Sequence, residues 1–267
     1  MSLSRRKTII VTARVHPGET NASTVFEGFL DQLTENAEHS AVLANFIVRL
    51  VPCMNPDGVV CGNYRSSLAG VDLNRQWILP SKELHPEVYH TKALMHQITK
   101  VENKKILIYC DIHCHSKKKN SFLYGCNIAG EGAAFSTWTQ VRLLPRLLAH
   151  RSKYISLPSC RFGVEACKVG TARVVVWKEF QVMNSFTLEN SFYGYDYGLP
   201  MTKRYTQDIY REIGGSLAHT LNDYRSCVEQ MKSEMVQSKG WLKPMRLKEV
   251  TGTPAAEVIA NEIIEEK

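Results

Sequence analysis

The chain has 267 residues, enough for one large globular domain, with 44% hydrophobic and 22% charged residues, proportions ordinary for a folded soluble protein. Its net charge of +7 suits anionic partners, but no nucleic-acid motif and no interleaving of basic with aromatic residues accompanies it, so nucleic acid is not expected. No apolar run approaches the roughly 20 residues of a membrane helix, and the eight cysteines stand singly, as free thiols in a reducing cytosol would.

In chain order, residues 1–7 are basic, and the apolar run behind them is too short for a secretory signal. Residues 7–15 read as a strand ending at His16. Thr20, Asn21 and Ser23 are capping types, and Val25, Phe26, Phe29, Leu30 and Leu33 follow at helical spacing,. A second strand over 46–51 stops at Pro52, and a loop rich in Gly, Asn and Pro runs over 53–80. A helix is expected over 85–100, with Pro86 in its first turn. The continuous apolar run 106–112 predicts a strand buried on both faces. Further strands are expected at 121–126, 174–177 and 185–188, and helices at 133–150 and 202–224. In the last of these, Tyr205, Ile209, Ile213, Leu217 and Leu221 recur every four residues. Strands alternating with helices predict an α/β domain with a mixed, largely parallel central sheet flanked by helices. That domain is expected over 1–227. The polar stretch 228–267, broken by Pro244 and Pro254, is expected to be an extension ending in a weakly held tail.

Four separated segments carry chemistry: His16-Pro17-Gly18-Glu19, Asp72-Leu73-Asn74-Arg75, Asp111-Ile112-His113-Cys114-His115-Ser116 and Phe186-Thr187-Leu188-Glu189. Two imidazoles and a carboxylate can hold zinc with a fourth position open, and strand ends in an open sheet are where such groups converge. Each residue also has an ordinary structural explanation. His16 suits a loop before proline, Glu19 a helix first turn, and His113 or His115 a satisfied core position. A structural zinc on Cys110, Cys114 and the histidines lacks a second cysteine pair.

Together with residues 12–23, 55–60, 62–77 and 184–192, these segments resemble the zinc metallocarboxypeptidases, and within them the cytosolic carboxypeptidases that trim glutamates from tubulin and other proteins. The resemblance covers about 7–224. It implies one zinc ion held by His16, Glu19 and His113, with Asp72 accepting an imidazole N–H. It implies Glu189 as general base and later acid, and Arg65 on the scissile carbonyl. Asn74 and Arg75 would take the terminal carboxylate, and Arg173 an acidic side chain. It also implies a cytoplasmic location, near microtubules, and acidic or polyglutamylated protein tails as partners, toward which Lys117-Lys118-Lys119 could draw the substrate. Relatives carry two more strands and a helix before the first strand seen here, so the sheet is expected to lack N-terminal edge strands. A tyrosine over the substrate, found in many relatives outside the cytosolic branch, has only Tyr154 and Tyr193 as candidates. Two other readings share the pattern: a non-catalytic binder of acidic tails, and a zinc amidohydrolase acting on N-acyl amino acids.

Overall fold

The computed structural model describes residues 6–35, 41–127 and 135–237. The expected tail over 251–267 and the first five residues lie outside them. Contacts divide the chain into two units, Met1–Asn222 and Asp223–Lys267; the second is described only as the last turns of one helix.

Five strands, β1 (Lys7–Ala13), β2 (Phe46–Val51), β3 (Ile106–His115), β4 (Ser121–Tyr124) and β5 (Asn184–Ser191), form one sheet in the order β2-β1-β3-β5-β4. All neighbours are parallel except β4, which runs antiparallel on β5. Helices α1 (Thr20–Thr34), α2 (Ala41–Asn45), α3 (Pro56–Val60), α4 (Pro86–His96), α5 (Phe135–Arg151) and α6 (Ala172–Glu179) lie in the connections between strands, and α7 (Gln207–Gln237) follows β5. This is the α/β architecture expected, with a largely parallel sheet. β2 ends the sheet with only its first residue fully buried, whereas β1, β3 and β5 are covered almost throughout.

The chain moves from β1 to β2 on one side, then returns past β1 to β3 on the other. Right-handed crossovers then put the longer helix of each connection, α1 and α4, on opposite faces of the sheet,. The core packed on α4 and α6 gathers Ile10, Leu73, Trp77, Val88, Met95, Tyr109 and Val175. α1 buries Ala22, Val25, Phe26, Phe29 and Leu33. It also packs backbone to backbone on α7: a side chain at Gly28 would strike the Arg211 carbonyl, and one at Gly214 the Val25 carbonyl. Arg211 clamps the same crossing through Glu27 and Asp31, at 2.6 and 2.7 Å.

Several boundaries differ from the sequence reading. Residues 174–177, read as a strand from three consecutive valines, lie inside α6, where Ala172 to Val176 are all buried. Burial all round a helix removes the periodic signal that betrays one, and tertiary packing overrides β-propensity. β3 runs on to His115, so His113 stands within the strand. β1 stops at Ala13 because Arg14 turns into the left-handed region at φ 59°. The 53–80 loop contains α3 and a 3-10 turn, Leu73–Arg75. α7 starts at Gln207 and continues past 227 to Gln237.

Candidate metal centre

β1 and β3 are neighbours at the point where the strand order reverses, the place where open α/β sheets bind ligands. His16 follows β1 by three residues, and its loop is held by Arg14. The Arg14 Nε donates to the Pro17 carbonyl and its guanidinium to Ser23 Oγ, both at 2.7 Å. Asn55 caps α3 by accepting from the Gly58 amide at 3.0 Å, and its own amide donates to the Val15 carbonyl at 3.2 Å. These bonds turn the segment back so that His16 and Glu19 face β3.

His16, Glu19 and His113 are all buried, and one donor atom from each lies within 4.8 Å of the others. Glu19 sits between the rings. Its Oε1 is 2.6 Å from His16 Nδ1, its Oε2 is 3.2 Å from His113 Nδ1, and the Cys114 amide donates to Oε2 at 2.9 Å. Burial alone would raise the Glu19 pKa; the two imidazoles outweigh it and hold the carboxyl well below the usual range. Each ring turns its Nε2 to a carboxylate, His16 to Asp72 Oδ1 at 3.1 Å and His113 to Asp111 Oδ2 at 2.7 Å. In a neutral ring whose Nε2–H is given to a carboxylate, Nδ1 is the nitrogen left to bind a metal, and both Nδ1 atoms are directed to one point. Burial opposes a charged His113, yet Asp111 and Glu19 raise its pKa well above the usual imidazole value.

Asp72 ties this cluster to two arginines. Its Oδ2 receives Arg65 through Nε at 3.0 Å and a second nitrogen at 2.9 Å, with Arg75 at 3.7 Å. Its Oδ1 caps the Leu73–Arg75 turn by accepting from the Asn74 amide at 2.9 Å. Against its burial, His16 and the arginines keep Asp72 well below the usual carboxylate range. Asn74 is buried, with Oδ1 accepting from the first amide of α6, Ala172, at 2.9 Å and Nδ2 lying 3.4 Å from His113 Nε2.

Glu189 stands directly opposite His113 in the β3–β5 register. Its Oε2 is buried without a hydrogen-bond partner among the described residues. Burial is the main force pushing its pKa up to about 7, Glu19 adding to it and His113 opposing. Arg173, near the start of α6, is 6% exposed; it donates to the Gly125 carbonyl and to Cys126 Sγ, and no carboxylate pairs with it among the described residues.

Other expectations separate. Tyr154 is buried among Tyr195 and Tyr205 with its hydroxyl on Glu212 at 3.2 Å, so it does not face a substrate; Tyr193 is 58% exposed. Of the three lysines, Lys118 lies over the rings of Phe122 and Tyr124, and Lys119 pairs with Asp196 at 3.0 Å. Cys110 and Cys114 are buried thiols, and Cys114 Sγ donates to the Glu19 carbonyl at 3.8 Å. Sequence reasoning passed over Asp111, although Asp-x-His on one strand puts both side chains on one face. It also missed Arg14, whose left-handed backbone carries no residue-type signal.

Residues 2–243 match the profile of the zinc carboxypeptidase family. The chain is 38% identical over 261 residues to cytosolic carboxypeptidase 3 of Mus musculus, covering 96% of this chain and 26% of that protein. It is 45% identical over 203 residues to the mouse cytosolic carboxypeptidase 1, covering 72% of this chain and 17% of that one. The chain thus spans about a quarter or less of the length of these relatives. A metallo-carboxypeptidase from Burkholderia cenocepacia superposes with a TM-score of 0.70 at 24% identity, over 84% of this chain and 58% of that one, a likeness of fold. The chain belongs to the zinc carboxypeptidase family, on the branch of the cytosolic carboxypeptidases.

Proposed function

We propose that residues 1–227 form the catalytic domain of a zinc-dependent carboxypeptidase that removes C-terminal glutamate and other acidic residues from protein tails, tubulin-like tails among them, in the cytoplasm. The observation that carries this reading is Glu189, a carboxylate with a buried, unpartnered oxygen beside a cluster of three metal-type donors. Two imidazole nitrogens and one carboxylate oxygen are the donors of a catalytic zinc site, and the pairing of each imidazole with a carboxylate is how such ligands are oriented. His16, Glu19 and His113 would hold one zinc ion. Bound there, zinc supplies Lewis-acid polarisation of a carbonyl and lowers the pKa of water toward about 7.

The chain's own residues divide the remaining work. Glu189 takes a proton from the attacking water and returns it to the departing amine, a role that needs a carboxylate not already committed to the protein. Arg65 stabilises the charge that builds on the scissile carbonyl oxygen. Asp72 fixes it in place, along with the His16 ring. Asn74 and Arg75 receive the terminal carboxylate, for which a guanidinium fork is a better match than a lysine. The Arg173 guanidinium, without an acidic partner among the described residues, suits a glutamate or aspartate side chain.

The test pairs metal quantification on the purified chain with glutamate release from a polyglutamate-tailed peptide. About one zinc per chain is expected, with turnover. Glu189→Gln should retain zinc and peptide binding while kcat falls about 10²- to 10⁴-fold. A binder of acidic tails would be untouched by that change. Folded, zinc-replete protein that leaves such tails intact, or that cleaves only small N-acyl amino acids, would refute the assignment.

A further inference from the structure

We infer that Asp111, held by Thr12 and Tyr109, is a positioning residue that fixes His113 as a metal ligand through a relay sealed from solvent. The inference rests on the zinc reading above. Tyr109, Asp111 and His113 alternate along β3 and so share one face of the sheet. Thr12 lies opposite Asp111 in the β1–β3 register. None of the four is more than 2% exposed.

The bonds run in one direction. Thr12 Oγ1 donates to Asp111 Oδ1 at 2.7 Å and lies 2.9 Å from the Tyr109 hydroxyl. A threonine hydroxyl has one hydrogen, and here the carboxylate takes it, so Tyr109 is the donor in the second bond. Asp111 Oδ2 is left for His113 Nε2 at 2.7 Å. Both carboxylate oxygens are thereby assigned, the ring cannot rotate without losing its partner, and Nδ1 stays on the Glu19 side.

The two imidazoles are supported differently. Asp72 is 19% exposed at its side chain and divides its charge among His16, Arg65 and Arg75. Asp111 has no arginine or lysine partner among the described residues, and besides His113 its side chain receives one neutral hydroxyl, that of Thr12. Its negative charge therefore acts on His113 undivided, in a low-dielectric place where such a charge counts most. A carboxylate so placed raises the basicity of a ligating imidazole. Asp72 links the metal site to substrate binding, whereas Asp111 serves metal retention alone.

The experiment measures zinc affinity of the full chain by competition with a chromophoric chelator, together with the visible spectrum of the cobalt-substituted protein. Asp111→Asn should weaken zinc binding about 10- to 100-fold and perturb the cobalt spectrum, more than Asp72→Asn does. Thr12→Val should weaken it in the same direction by less, and Thr12→Ser should restore it. Melts of the chelated variants separate a structural effect: lower Tm with unchanged affinity of the folded protein would overturn the inference. Equal zinc binding by wild type and Asp111→Asn would also overturn it, leaving the carboxypeptidase reading standing. A wild-type chain that binds no zinc would remove both. Should Asp111→Asn fail to fold, Thr12→Val and Tyr109→Phe make the same comparison.

Discussion

Glu189 and Glu19 are both buried carboxylates near the same two histidines, yet their environments push them apart. Glu19 bonds with both rings and an amide, and stays ionised. Glu189 meets mainly burial, and its pKa rises to about 7, the separation expected of a ligand and a proton carrier. This has a consequence for stability. A carboxyl whose folded pKa exceeds the unfolded value of about 4.3 binds protons more tightly when folded, so its contribution is fully present at low pH and is lost as pH rises through 7. In metal-free protein, Glu189→Gln escapes that loss. Its Tm relative to wild type is expected to climb by a few degrees between pH 5 and pH 8, measurable by melts at both values; a difference flat with pH would contradict the burial account. At this scale the spacing of His16 and Glu19 was legible in the sequence because both belong to one turn. Asp111 was not, since an aspartate in an apolar run declares its partner only once the face it shares with His113 is fixed.

Among the elements, α6 shows how a local signal can mislead. Ala172 to Val176 look like a strand because β-branched residues favour extended backbone, but Asn74 reaches across to bond the first amide of this helix, an end that Thr171 leaves uncapped by its own side chain. A buried helix end needs such a partner, and no window of neighbouring residues contains it. The same bond ties the segment bearing Arg75 to the helix bearing Arg173. The α1–α7 crossing carries its own prediction. Gly214→Ala inserts a methyl group against the Val25 carbonyl, and overpacking of this kind costs about 1–3 kcal/mol. Urea unfolding should show that loss in the midpoint with little change in slope; an unchanged midpoint would mean that the helices separate freely.

For the molecule as a whole, the metal centre depends on which strands are neighbours. If zinc joins the folded chain and not the unfolded one, free metal a thousandfold above Kd stabilises by about 4 kcal/mol, or about 10 °C for a domain of this size. Chelation should remove that increment while leaving a cooperative melt, because the buried Glu19 keeps two imidazole partners without the metal. Absence of any chelator effect on a zinc-loaded sample would argue against ions bound at this cluster. The α/β class and the existence of all five strands could be read directly, since alternation, apolar runs and capping residues are properties of short segments. So could the family resemblance, which lies in contiguous motifs. The order β2-β1-β3-β5-β4 could not. It sets His16, His113 and Glu189 beside one another across 173 positions of sequence, and strand pairing is settled by burial and crossover handedness, which act on the assembled sheet and leave no mark on any single stretch of chain.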